Sequence, residues 1–183
     1  PYYAGGTITE RSRLFVVTAE RFHEVFSVEV KTRHEVLSIN RDAQYVRVKD
    51  LSNGGEFDQY YDTLVLSPGA SPLRPRIPGI DDPDIYTLRS VEDVDAIVRK
   101  MENRQTSRAV VVGGGFIGLE MAENLKERQL KVTLVEALEQ VMNVIDYDMA
   151  TLVQQQLRDK GIDLYLKDGV KSFERQKGML LVT

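Results

Sequence analysis

The feature that most constrains this chain is a cluster of glycines caught between a strand and a helix. Ala109-Val110-Val111-Val112 is a short apolar run of strand formers that leads directly into Gly113-Gly114-Gly115-Phe116-Ile117-Gly118. Gly113, Gly115 and Gly118 have the spacing G-x-G-x-x-G. Residues 117–128 then read as a helix with the apolar stripe Ile117, Met121 and Leu125. A second apolar strand, Lys131 to Val135, follows and ends at Glu136, eighteen residues beyond Gly118. A glycine hexapeptide alone is weak, but strand, turn, helix, second strand and terminal acid together are specific for a dinucleotide-binding unit. In such a unit Gly113 permits the tight turn off the strand. Gly115 lets a pyrophosphate approach the backbone, and Gly118 lets helix and strand pack closely. The helix N-terminus offers unpaired N–H groups and a positive dipole to the phosphates. Glu136 accepts hydrogen bonds from the adenosine ribose hydroxyls and repels a 2′-phosphate, so NADH is expected rather than NADPH. Two other readings compete: a glycine-rich turn beside an ordinary exposed acid, and a methyltransferase of similar topology, whose second strand also ends in an acid.

The second half continues the pattern. Asp148 to Lys160 reads as a helix ending at Gly161, and Asp163 to Leu166 as a strand. The order β-α-β-α-β predicts an α/β fold, a Rossmann-like NAD-binding domain with a parallel sheet and helices on both faces. Met179 to Thr183 reads as one more strand. The first half is different. Thr18 caps a helix through about Phe26, and Val28 to Arg33 alternates apolar and charged residues as a strand does. His34 to Ile39 and Gln44 to Lys49 read as strands. Ser52-Asn53-Gly54-Gly55 is a hairpin turn, and Glu56 to Tyr61 the returning strand. Thr63 to Leu66 is a continuous apolar run, as expected of a strand buried on both faces. Pro68, Pro72, Pro75, Pro78 and Pro83 fall within sixteen residues, which excludes helix and central strand. Ser90-Val91-Glu92-Asp93 has the form of a capping box opening a helix to about Met101.

Composition removes several classes of function. The 183 residues carry a net charge of −4, which gives no general attraction to nucleic acid or acidic membranes. No apolar run approaches the roughly 18 residues that suggest a membrane span. There is no Cys, hence no disulfide framework or thiolate metal site, and His23 and His34 are too few and too far apart for a metal centre. Asp81, Asp82 and Asp84 cluster in the proline-rich segment without the ligand spacing of a calcium loop. The chain starts at Pro1 and stops inside a strand pattern, so it reads as an internal piece of a longer protein.

Several spaced motifs also carry a resemblance. Tyr61-Asp62-Thr63-Leu64-Val65-Leu66-Ser67-Pro68-Gly69-Ala70-Ser71-Pro72 resembles the second flavin motif of the FAD-dependent pyridine nucleotide-disulfide oxidoreductases. Ile77-Pro78-Gly79, Thr87-Leu88-Arg89 and the run from Gly113 to Glu120 follow in that family's order. The opening Pro1-Tyr2-Tyr3 with Gly5-Gly6, and His34-Glu35-Val36, are most similar to the single-cysteine branch that contains CoA-disulfide reductases. The resemblance implies part of an FAD-binding domain of the glutathione-reductase type over 1–89. It implies a connecting helix and linker over 90–106, and the NAD-binding domain over 107–183, incomplete at its end. It places the redox cysteine three residues before Pro1, outside this sequence, so no catalytic residue is expected within it.

Cofactor contacts follow from the same resemblance. Ser67, Pro68 and Gly69 pass close to FAD, Val36 gives backbone hydrogen bonds to adenine, and Arg89 contacts the flavin. Phe116 and Ile117 open the NAD-binding helix, Phe116 as an aromatic gate over the isoalloxazine. Glu120 lies near the flavin–nicotinamide junction. The implied activity passes a hydride from NADH to FAD and then electrons to the cysteine, which reduces CoA disulfide or a related persulfide. An NADH oxidase or NADH peroxidase of the same family is the alternative acceptor reading, and an NAD(H)-binding redox sensor the non-enzyme one. The full-length protein is expected to be a cytoplasmic homodimer with a small-molecule substrate, with or without an appended sulfurtransferase domain. Residues 1–183 alone are expected to show no turnover.

Overall fold

A computed structural model describes residues 1–103 and 106–183. The expected connection over 90–106 includes residues 104 and 105, which lie outside the described residues. The chain divides into two compact units, one formed by Pro1–Leu14 with Ser71–Thr183 and the other by Phe15–Ala70. This division by contact splits the expected flavin-side segment 1–89: Pro1–Leu14 and residues 71–89 group with the second half of the chain, and Phe15–Ala70 forms a unit by itself.

In the first unit, α1 (Tyr2–Gly5) is one short turn closed by Gly6 in the left-handed region, and a single 3-10 turn follows at Arg11–Leu14. The Phe15–Ala70 unit opens with α2 (Ala19–Phe26), whose first turn is capped by Thr18 accepting from the Arg21 N–H at 3.2 Å. An antiparallel meander follows: β1 (His34–Asn40), β2 (Tyr45–Asp50) and β3 (Glu56–Tyr60), in the order β1-β2-β3. Alternation on β2 buries Val46 and Val48, while Arg47 faces Asp58 of β3 at 3.0 Å. The hairpin turn before β3 is built as the sequence indicates. Asp50 accepts from the Ser52 N–H at 2.7 Å, and Gly54 takes φ +79°.

Two expected strands do not form. Val28 to Arg33 forms no strand; at Arg33, φ +57°, whose carbonyl accepts from the Leu51 N–H at 2.8 Å, the chain turns into β1. Thr63 to Leu66 carries no strand, and Val65 and Leu66 are 80% and 65% exposed. The cause is the same in both. A strand exists through its ladder, and none of the three sheets among the described residues includes either segment.

Back in the first unit, α3 (Val91–Glu102) starts at the expected capping box. The Asp93 N–H donates to Ser90 Oγ at 3.2 Å, and the Ser90 N–H donates back to Asp93 Oδ2 at 2.9 Å. Then come β4 (Arg108–Val112), α4 (Phe116–Glu127), β5 (Lys131–Glu136), α5 (Tyr147–Asp159) and β6 (Asp163–Leu166). The three strands form a parallel sheet in the order β4-β5-β6, with Val111 beside Leu134 and Leu134 beside Leu164. One face of this sheet packs on the helices. Val132 and Leu134 are fully buried there with Met121 and Leu125 of α4, Leu157 of α5 and Ile97 of α3. Burial of each such side chain contributes about 2 kcal/mol. Val110 and Val112 belong to the opposite face and are exposed.

Two short strands, β7 (Phe173–Gln176) and β8 (Met179–Val182), form a hairpin that the sequence shows only in its second arm. The proline-rich segment holds this hairpin. The Phe173 N–H donates to the Pro78 carbonyl at 2.9 Å, and a Cβ on Gly79 would sit 2.0 Å from the Phe173 carbonyl oxygen. Arg175 donates to Asp82 at 3.0 Å and to Asp84 at 2.8 Å, and Lys100 pairs with Asp84. The acidic cluster is therefore a counter-charge for two cations. The Arg175 hydrogen bond holds the Asp82 carboxyl below its ordinary range, and Lys100, then Arg175, do the same for Asp84. Depressed carboxylate pKa values mean stabilisation that is present above the ordinary carboxylate range and is lost as pH falls through the native value. Arg175→Gln is thus expected to lower Tm near neutral pH, with the gap to wild type shrinking as pH falls below the ordinary carboxylate range. A thermal-denaturation series against pH checks this, and a gap unchanged by acid counts against the network.

Candidate functional site

The glycine turn sits at the C-terminal end of the parallel sheet, where strand ends and a helix start converge. Gly113 leaves β4 with φ +105°, a backbone state that a side chain strains, and its N–H donates to the Val135 carbonyl at 2.9 Å. Gly118 is needed for a different reason. A Cβ there would lie 2.0 Å from the Gly113 carbonyl oxygen and 3.6 Å from Val111, so α4 can approach the turn only without one. Gly115 is the informative case. Its φ is −79°, and a Cβ would meet no protein atom within 4 Å. Neither strain nor packing accounts for glycine there, and the space above it is open.

Gly115 is also the N-cap of α4, where it supplies no side-chain cap, and the first turn carries no acid. The first N–H groups of a helix have no partner within it. Helices α2 and α3 satisfy theirs with Thr18 and Ser90. In α4 the same groups, and the positive end of the dipole, face outward. Phe116 and Ile117, the first residues of the helix, are 61% and 53% exposed. Glu120 follows one turn later in α4 and is partly buried.

Glu136 ends β5 beside the turn. Its Oε2 accepts from the Gly114 N–H at 2.6 Å and its Oε1 from the Leu138 N–H at 2.8 Å. The Gly114 carbonyl in turn accepts from the Met142 N–H at 2.8 Å, and Val141 is fully buried next to it. Leu138, Val141 and Met142, which hold the turn, are absent from the sequence reading, and Gly114 had no role in it. Only Gly114 left a signal, as a fourth glycine where the motif needs none.

Arg89 lies in the same unit, its backbone N–H donating to Asp93 at 2.8 Å just ahead of α3. It lines a cleft of about 350 Å³ together with Ile117, Tyr2, Tyr3, Leu88 and Val94. The structure thus brings Arg89 and Ile117 together at an apolar cleft that also receives the tyrosines of α1. Val36, Ser67, Pro68 and Gly69 belong to the other unit. Val36 is exposed on β1 opposite Val48, and Gly69 turns the chain with φ +72°.

Residues 6–183 match the pyridine nucleotide-disulphide oxidoreductase family. The chain belongs to that family. It is 38% identical over 172 residues to the coenzyme A disulfide reductase of Staphylococcus haemolyticus (strain JCSC1435), covering 94% of this chain and 38% of that protein. The reduced CoADR-RHD of Bacillus anthracis superposes with a TM-score of 0.91 at 40% identity, over 100% of this chain and 34% of the other. The water-forming NADH oxidase of Lactobacillus brevis, bound to NADH, gives 0.91 at 31% identity, over 100% and 40%. The chain therefore spans well under half the length of these relatives. Its Rossmann-like parallel sheet and family membership agree with the α/β reading of the sequence.

Proposed function

We propose that the protein of which these residues form part is an NADH-dependent flavoprotein that reduces CoA disulfide or a related disulfide or persulfide. The observation that carries this reading is Gly115: a glycine with ordinary φ, no packing constraint and an uncapped helix behind it. A group from outside the chain explains a bare backbone there, and a pyrophosphate has the required charge and size. Gly113, Gly115, Phe116, Ile117 and Gly118 hold the phosphates and steer the nicotinamide end, while Glu136 takes the adenosine ribose. Arg89, at the apolar cleft with Ile117, faces the flavin, and Val36 with Ser67, Pro68 and Gly69 completes the FAD contacts. Glu120 borders the junction of the two cofactors, and Phe116 is the gate above it. When bound, NADH would supply a hydride and FAD the redox chemistry that carries its electrons towards sulfur. The domains behind this are a partial FAD-binding domain over 1–89, a connection over 90–106 and an NAD-binding domain over 107–183. A reducing cytoplasm suits a sulfur centre that must cycle through its thiolate, and the enzyme works there as a homodimer.

The full-length protein is expected to purify yellow, with a flavin band near roughly 450 nm that NADH bleaches and CoA disulfide restores. NADH binding without any flavin would instead identify a redox sensor. Restoration by oxygen or peroxide but not by CoA disulfide would identify an oxidase or peroxidase, the reading that the similarity to the Lactobacillus brevis NADH oxidase favours.

A further inference from the structure

The middle glycine of the turn is held on both sides by protein. Its N–H is bonded to Glu136, its carbonyl to Met142, and the other Glu136 oxygen is bonded to Leu138. One carboxylate thus ties the turn after β4 to the loop after β5, using chain atoms alone. The fit is close. A Cβ on Gly114 would lie 2.9 Å from Val141 Cγ1 and 3.2 Å from Glu136 Oε2. Both bonds to the carboxylate are charge-assisted, and such bonds are about twice as strong as neutral ones. An ionised carboxylate offers roughly four acceptor positions, so two remain for a ribose diol.

We propose that Glu136 is a positioning residue for the glycine turn, setting the phosphate-binding backbone before any ligand arrives, in addition to its contact with ribose. This rests on the dinucleotide reading above. It follows that selectivity at the adenosine end and the shape of the phosphate site are coupled through a single side chain. The path is short: carboxylate, Gly114 N–H, and then the Gly115 backbone that leads into α4. A residue that only recognised ribose would leave the ligand-free turn unchanged when removed.

The test uses the full-length protein, Glu136→Ala and Glu136→Gln. Amide exchange over Gly113–Gly118 without ligand is expected to be about tenfold faster in the alanine variant and about threefold faster in the glutamine variant, which keeps one acceptor oxygen. Val132–Leu134 in β5 serve as the internal reference for intact folding. If the alanine variant does not fold, the glutamine variant decides. Exchange at the turn within the error of wild type overturns the proposal. The second measurement is the affinity for a reduced dinucleotide whose adenosine ribose lacks both hydroxyls. Positioning predicts that Glu136→Gln weakens this ligand about threefold or more. Unchanged or tighter binding means that Glu136 acts through ribose alone and also overturns it. Should the wild type bind neither dinucleotide, the dinucleotide reading fails, while the exchange result still decides whether Glu136 holds the turn.

Discussion

With alanine at position 118, NADH binding is expected to weaken by at least about 100-fold, because the helix that presents the phosphate donors can no longer reach the turn. The added Cβ would stand 2.0 Å from the Gly113 carbonyl oxygen and 3.1 Å from its carbon. Those are backbone atoms, so no side chain can swing aside. Relief requires either that α4 back away or that the turn after β4 open. Met121, Ala122 and Leu125 on α4 are core residues, so the first route disturbs packing at a cost of about 1–3 kcal/mol. The second opens the site itself. Gly115→Ala is the informative companion. Its Cβ meets nothing in the protein and its φ is ordinary, so Tm should not fall, yet NADH should bind poorly because the methyl group occupies the ligand's space. NADH titration with thermal denaturation of both variants checks the pair. Near-normal binding by Gly118→Ala, or by Gly115→Ala, would sink the corresponding role.

The contrast between those glycines shows what the sequence could and could not carry. Periodicity and punctuation placed the β4 to β6 portion correctly because its two helices each bury one apolar face, its strands are short apolar runs, and Gly113 and Gly161 mark breaks between them. Neither strand run that failed lacked the right composition. Val28 to Arg33 alternates well and Thr63 to Leu66 is continuously apolar, but pattern reports what a residue can bury and not whether a neighbouring strand exists to pair with it. The hairpin arm Phe173–Gln176 failed in the opposite direction. It has one apolar residue, Phe173, and is held by Pro78 and by the Arg175 ion pairs, contacts made across about ninety residues of chain. A local signal was present in Lys177 and Gly178, both with positive φ, at its turn.

At the site the division is similar. Gly113, Gly115 and Gly118 were legible from their spacing; the backbone disfavours a side chain at Gly113 and leaves no room for one at Gly118, while Gly115 carries neither constraint. Gly114, Leu138, Val141 and Met142 were not, since their roles exist only once the loop after β5 has folded back onto the turn. Asp82 and Asp84 could be read only as charge until their cationic partners were in place. The flavin-side residues Val36, Ser67, Pro68, Gly69 and Arg89 came from resemblance, and their roles stand as proposals.

The other large effect is expected at Glu136, in the ratio of two affinities rather than in either one. A 2′-phosphate brings at least one more negative charge to the ribose edge where this carboxylate stands. At about 4 Å and an effective dielectric near 20, two such charges repel by roughly 4 kcal/mol, and partial exposure to salt reduces this to about 2–3. Glu136→Gln removes that repulsion, so the preference for NADH over NADPH should fall by about 100-fold. Two contributions accumulate in the NADH affinity itself: loss of the ribose hydrogen bonds, and loosening of the turn once Gly114 loses a charged acceptor. The second applies equally to NADPH and cancels in the ratio. Parallel titrations of both cofactors against wild type and variant therefore separate recognition from positioning. If Glu136→Gln weakens both ligands and leaves their ratio unchanged, the carboxylate shapes the turn but does not select the cofactor. If the ratio collapses while NADH binds as before, it selects without shaping.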